Sequence, residues 1–107
     1  MDVPAINADE LTSDMVLLDV REPVEWDAGH AVGAVHIPMH DVPARVNELP
    51  AGADLVIVCH IGGRSAQVTS WLNSHGITCR NLIGGMVAYA ATGKPLASEN
   101  GQPPRAE

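Results

Sequence analysis

A cysteine at the end of an apolar run, with two glycines and an arginine close behind it, is the pattern in this chain best able to do chemistry. The run is Leu55-Val56-Ile57-Val58, the thiol is Cys59, and His60-Ile61-Gly62-Gly63-Arg64-Ser65 follow before a helix-like stretch begins. A strand feeding a tight loop that turns into a helix brings backbone N–H groups toward one point. The helix dipole adds partial positive charge there, and so does the Arg64 guanidinium. Both favour the thiolate, the nucleophilic form of cysteine. Gly62 and Gly63 allow backbone conformations that other residues resist. Together these features read as an anion-binding nucleophile loop. A merely structural cysteine at a strand end would leave Gly62, Gly63 and Arg64 unexplained.

The elements that must hold this loop follow from hydrophobic patterning. Val16-Leu17-Leu18-Asp19-Val20 is a short strand-like run. Pro23 to Ala28 reads as a brief helix, with Pro23 in its first turn and Gly29 as its stop. Ala34-Val35-His36-Ile37 is a second strand-like run, ended by Pro38. Asp41 is placed to cap a helix reaching Leu49, with Val42, Val46 and Leu49 on one face. Leu55 to Val58 is apolar throughout, as for a strand buried on both sides. Ser65 to Ser74 is expected to be helical, with Gly76 as its C-cap. Arg80 to Ile83 reads as a strand, and Met86 to Ala91 as a last helix opened by Gly84-Gly85 and ended by Gly93. Alternating strands and helices imply an α/β domain with a mainly parallel sheet. Such folds place ligands at the carboxyl ends of strands, where both Cys59 and Asp19 fall.

The chain has 107 residues, which suits one domain with its own core. That core must be aliphatic, because there is no Phe, one Tyr (Tyr89) and two Trp (Trp26 and Trp71). A net charge of −7 argues against nucleic acid and anionic membranes as partners. No run is long enough for a membrane span, and the N-terminus lacks signal-peptide features. A cytoplasmic, reducing setting is therefore expected, and it suits a free thiol. The second cysteine, Cys79, should begin a strand parallel to the one Cys59 ends. The two thiols would then lie on the order of 15 Å apart, beyond the roughly 7 Å between Cα atoms that a disulfide spans. His36 and His40 have the spacing of helical metal ligands, but Pro38 between them breaks a helix, so no metal is expected. The segment from 97 to 107, rich in Pro and polar residues, reads as a flexible tail.

Three segments, in order, resemble a single-domain rhodanese, a thiosulfate sulfurtransferase-like protein. They are Leu18-Asp19-Val20-Arg21-Glu22-Pro23 with Glu25-Trp26, Gly29-His30-Ala31-Val32-Gly33-Ala34 and Ile37-Pro38; then Val58-Cys59-His60-Ile61-Gly62-Gly63-Arg64-Ser65-Ala66; then Leu82-Ile83-Gly84-Gly85-Met86. The resemblance covers residues 3–96, within a domain set at 1–96. It implies a three-layer α/β/α fold around a five-stranded parallel sheet of order 1-5-4-2-3. It also implies that Cys59 carries sulfane sulfur as a persulfide, taken from thiosulfate or a persulfide and given to cyanide or a thiol, a protein acceptor included. No cofactor is needed.

By the same resemblance His60, Ile61, Gly62, Gly63 and Arg64 form the substrate loop, and Asp19, Arg21 and Ser65 support it. Arg64 is either an anion clamp or a prop for the loop. His60 either meets substrate or points to solvent. The loop from Cys59 to Arg64 has six residues, the length that suits sulfur transfer. The phosphatases and arsenate reductases of this fold carry one more, making room for a tetrahedral oxyanion. A non-catalytic binding or sensing module is the other alternative, and it would usually lack the cysteine. Tyr89 stands where such proteins often have Trp. The loop has no lysine, which leaves a bulkier persulfide as good a donor as thiosulfate.

Overall fold

Apolar runs and helix-forming stretches alternate along the chain, and the structure keeps that alternation. The computed structural model describes residues 3–107. In chain order the elements are β1 (Ala5–Ile6), β2 (Met15–Asp19), α1 (Pro23–Ala28), β3 (His30–Ala31), β4 (Val35–His36), α2 (Val42–Arg45), β5 (Asp54–Val58), α3 (Gly63–Ser74), β6 (Cys79–Leu82), α4 (Gly85–Ala91) and β7 (Leu96–Ala97). Five of the strands form one sheet in the order β1-β6-β5-β2-β4, every pair parallel. Counted among that sheet's own strands, this is the expected order 1-5-4-2-3.

The central strand shows why the sheet needs cover on both sides. Side chains along a strand alternate between faces. On β5 and just beyond it, Leu55, Ile57 and Cys59 join Leu18, Val42, Val68, Leu72 and Cys79 in one core layer, under α2 and α3. Val56 and Val58 join Ile6, Leu82, Met86 and Tyr89 in the other, under α4. All five β5-derived positions from Leu55 to Cys59 are buried. The strand's continuous apolar character therefore follows from its two-sided burial. Leu55 pairs with Cys79, so the two cysteines are separated by four residues of strand, about 13 Å of rise. Both are free thiols.

Two expectations need correction. The helix expected from Asp41 to Leu49 is broken into a tight turn at Met39–Asp41, the single-turn α2, and a second tight turn at Val46–Glu48. The Asp41 side chain makes no cap bond, and Arg45 leaves helical geometry at φ −122°. Val42, Val46 and Leu49 still reach the core. Gly29 ends α1 with extended backbone, φ 169°, and is not a left-handed cap. A Cβ there would lie 2.1 Å from the Arg105 carbonyl oxygen.

That contact belongs to the segment 97–107, which makes several bonds to the α1 turn. β7 pairs antiparallel with β3 in a small second sheet. The Glu99 N–H donates to the Asp27 carbonyl and the Arg105 N–H to the Ala28 carbonyl, each at 2.8 Å. His30 Nε2 meets the Glu99 carboxylate at 2.8 Å. The His30 ring stacks on Trp26 at 3.6 Å, and His36 stacks on Trp26 at 4.6 Å. These residues fix the end of α1 and the turn after it.

Candidate active site

Cys59 follows the carboxyl end of β5, at the middle of the sheet, and only 1% of the residue is exposed. Its Sγ lies at the floor of the loop that becomes α3. The Gly62 N–H reaches Sγ at 3.1 Å, the Ser65 N–H at 3.4 Å, and the Ser65 hydroxyl at 3.2 Å. Burial of the thiol works against ionisation. It is outweighed by the Ser65 hydroxyl together with the N–H groups of Ser65, Gly62 and Arg64, so the Cys59 pKa lies below that of an ordinary thiol. Cys79 has burial without such donors, and its thiol is pushed up to about 11.

Gly62 and Gly63 are not equivalent. Gly62 caps α3 in the left-handed region, φ +119°, which a side chain resists. Gly63 has no such conformation, and a Cβ on it would meet nothing within 4 Å. The second glycine that the loop requires is Gly85, outside it. Its φ is +55°, and a Cβ would stand 2.4 Å from the Cys59 carbonyl oxygen and 2.5 Å from that of His60. This close approach lets the first turn of α4 receive both carbonyls. The Met86 N–H donates to Cys59 O at 2.8 Å and the Val87 N–H to His60 O at 3.2 Å. With these carbonyls engaged at α4, the N–H groups of the loop are left to face the sulfur.

The Arg64 guanidinium turns toward α1. Nη1 and Nη2 bind Glu25 Oε1 and Oε2 at 2.7 and 2.9 Å, a two-pronged pair that is partly buried. The hydrogen bond from Arg64 is the main reason the Glu25 carboxyl lies below the usual range. The fall in the Cys59 pKa therefore comes from loop donors, Arg64 contributing its backbone N–H. Asp19 and Arg21 are both fully buried. Arg21 Nε and Nη2 grip the Asp19 carboxylate at 2.9 and 2.8 Å, and Nη2 also donates to the Gly29 carbonyl at 2.7 Å. A further bond runs from Nη1 to the Glu107 carbonyl. The pair braces the α1 turn and the C-terminal segment, and through α1 the carboxylate that holds Arg64. His60 is half-buried, with its Nδ1 buried and without a hydrogen-bond partner among the described residues. Ile61 forms the exposed tip of the loop.

The sequence pattern left two site residues unassigned. Glu25 stood in the first resembling segment with no role attached to it. Asn81 sits inside β6, where it accepts the Ser65 hydroxyl at 2.5 Å and donates Nδ2–H to the Gly62 carbonyl at 3.3 Å. A polar side chain inside a strand-like run was its only signal. Grooves of about 340 and 370 Å³ are lined elsewhere, by Met39, Val42 and Trp71 and by Leu11, Leu17 and Tyr89 among others. Neither includes a residue of the Cys59 loop.

The chain that builds this sheet and loop matches a protein-family model. The match is to the rhodanese-like domain, over residues 5–92. The chain belongs to that family. A sulfurtransferase of Allochromatium vinosum is 38% identical over 91 residues, covering 84% of this chain and 85% of that protein. Among solved structures, a rhodanese-related protein from Thermoplasma volcanium superposes with a TM-score of 0.83 at 27% identity, covering 88% of this chain and 97% of the other. An NAD-dependent persulfide reductase from A. fulgidus matches with a TM-score of 0.71 at 33% identity, over 81% of this chain and 16% of that one. Sulfur transfer is the chemistry these likenesses support for this rhodanese-like domain.

Proposed function

We propose that this rhodanese-like domain is a sulfurtransferase that carries one sulfane sulfur on Cys59. The observation that carries the proposal is the buried Cys59 Sγ, ringed by N–H donors of its own loop and by the Ser65 hydroxyl. In the first half-reaction the thiolate attacks the outer sulfur of a donor. With thiosulfate, a new Cys59 S–S bond forms, the donor's S–S bond breaks, and sulfite leaves with the electron pair. With a low-molecular-weight persulfide, a thiolate leaves instead. In the second half-reaction cyanide or a thiolate attacks the outer sulfur and the Cys59 thiolate is regenerated. A covalent intermediate of this kind gives ping-pong kinetics.

The surroundings favour a persulfide donor over thiosulfate. A thiosulfate dianion would meet backbone dipoles but no unpaired cation of the loop, because Arg64 is neutralised by Glu25. The domain's overall charge opposes any anionic donor alike, so the preference rests on the loop's own contacts. Exposed Ile61, Ile83 and Val87 lie on the loop and at the start of α4 beside it. They offer apolar contact to a larger donor or acceptor.

Initial rates with two donors, thiosulfate and glutathione persulfide, and with cyanide as acceptor test the proposal. Parallel double-reciprocal lines, a higher kcat/KM for the persulfide, loss of turnover in Cys59→Ser and its retention in Cys79→Ser are expected. Turnover retained in Cys59→Ser would overturn the assignment.

A further inference from the structure

We propose that Asn81 positions the nucleophile through the Ser65 hydroxyl, whose single proton turns to Asn81 when Cys59 is a thiol or is loaded with sulfur, and to Cys59 when it is a thiolate. The loaded state in this proposal rests on the sulfurtransferase reading; the thiol and thiolate states do not.

Ser65 is fully buried and its hydroxyl has one proton. Two acceptors compete for it: Asn81 Oδ1 at 2.5 Å and Cys59 Sγ at 3.2 Å. The orientation of the Asn81 amide is set by its other end, where Nδ2 donates to the Gly62 carbonyl at 3.3 Å. Turned over, the amide would set its oxygen against the carbonyl oxygen of Gly62. Oδ1 therefore faces Ser65 and needs a donor.

In the thiol state every group is satisfied in a closed ring. The Cys59 S–H donates to Ser65 Oγ, the Ser65 O–H to Asn81 Oδ1, the Asn81 Nδ2–H to Gly62 O, and the Gly62 N–H back to Cys59 Sγ. Ionisation removes the S–H, and the ring fails at that point. An oxygen lone pair would then face a sulfur anion. The hydroxyl turns to Sγ, forming a charge-assisted bond, and Oδ1 of the half-buried Asn81 loses its protein donor. Asn81 thus holds the thiolate back from the full stabilisation the loop offers. A less stabilised thiolate is a better nucleophile, since nucleophilicity falls as thiol pKa falls. When Cys59 takes up sulfur, Sγ becomes a bridging atom and the charge moves to the outer sulfur. Sγ is then a weak acceptor, and the hydroxyl returns to Asn81. The arrangement favours the loaded carrier over the bare thiolate.

A competing role for Asn81 is to brace the loop through Gly62, and a double-mutant cycle separates the two. Iodoacetamide alkylation against pH is measured in a Cys79→Ser background for Ser65→Ala, Asn81→Ala and the pair. Ser65→Ala removes a donor to the anion and should raise the inflection by about one pH unit, a tenfold loss of thiolate at fixed pH. Asn81→Ala frees the hydroxyl for sulfur and should lower the inflection. In the Ser65→Ala background Asn81→Ala should leave it unmoved. An upward shift from Asn81→Ala, or an equal shift with and without the Ser65 hydroxyl, would overturn the proposal and leave Asn81 a loop brace.

A second measurement needs no variant at Asn81. The side-chain carbonyl ¹³C resonance of Asn81 should titrate together with Cys59 and return toward its low-pH position on treatment with glutathione persulfide. A resonance that ignores Cys59 ionisation would overturn the proposal. If the titration is seen but no sulfur is taken up, the sulfurtransferase reading fails while the hydroxyl switch between thiol and thiolate stands.

Discussion

Replacing Gly85 by alanine should damage the Cys59 loop more than the same change at Gly63, although only Gly63 belongs to the loop. The Gly85 Cβ would sit 2.4 Å from Cys59 O and 2.5 Å from His60 O, both backbone atoms, whereas such contacts stay beyond 3.0 Å. The two carbonyls must therefore move by about half an ångström or more. That movement stretches the bonds from Met86 and Val87, each contributing about 1 kcal/mol. Alanine at φ +55° adds about 1 kcal/mol of backbone strain. The sum is about 3 kcal/mol, and a fall of roughly 12 °C or more in Tm follows for a domain of this size. Displaced carbonyls also turn the loop N–H groups from Sγ, so the pH inflection of Cys59 alkylation should rise. Gly63→Ala meets open space and ordinary backbone. It should keep or slightly raise Tm, because alanine restricts the unfolded chain. Paired melting curves and alkylation profiles decide the matter. Equal damage at the two positions, or a harmless Gly85→Ala, would refute the claim that α4 holds the loop open toward sulfur.

Three further outcomes are expected. Arg64→Ala and Glu25→Gln should lower kcat/KM for thiosulfate and for a persulfide by similar factors and lower Tm by a few degrees, since each breaks the same partly buried pair; a loss confined to thiosulfate in two-donor kinetics would make Arg64 an anion clamp. Glu25 has its folded-state pKa lowered from 4.5, so its stabilisation is fully present above the unfolded value and is lost as pH falls through the folded one. Melting curves below pH 5 should show an acid-driven loss in the native protein that is smaller in Glu25→Gln. Arg21→Met should cost about 3–5 kcal/mol by stranding the buried Asp19 carboxylate, read by urea unfolding.

The parts of the fold visible in the sequence were those set by local rules. Leu55 to Val58 announced a doubly buried strand by having no polar face. Pro23 and Gly29 bounded α1 at its observed ends. The nucleophile loop was legible because Cys59, Gly62 and the onset of α3 are contiguous. What stayed hidden depends on long-range geometry. The partner of Arg64 is Glu25, 39 residues away. Gly29 looked like a helix cap, but its lack of a side chain serves the backbone of Arg105. Gly85 looked like a helix opener, and its small size is what admits the Cys59 and His60 carbonyls. The helix expected over 41–49 failed because β-branched Val42 and Val46 pack into the core but favour continuous helix only weakly. The polar composition of 97–107 concealed its backbone bonds to Asp27 and Ala28, which no side-chain pattern encodes.

Intact-mass measurement of the reduced protein after brief exposure to a sulfane donor tests the central claim most directly. A gain of one sulfur atom is expected on the native chain and on Cys79→Ser, none on Cys59→Ser, and loss of the added mass with release of thiocyanate when cyanide is added. No gain on the native chain, or a gain that survives in Cys59→Ser and vanishes in Cys79→Ser, would contradict it.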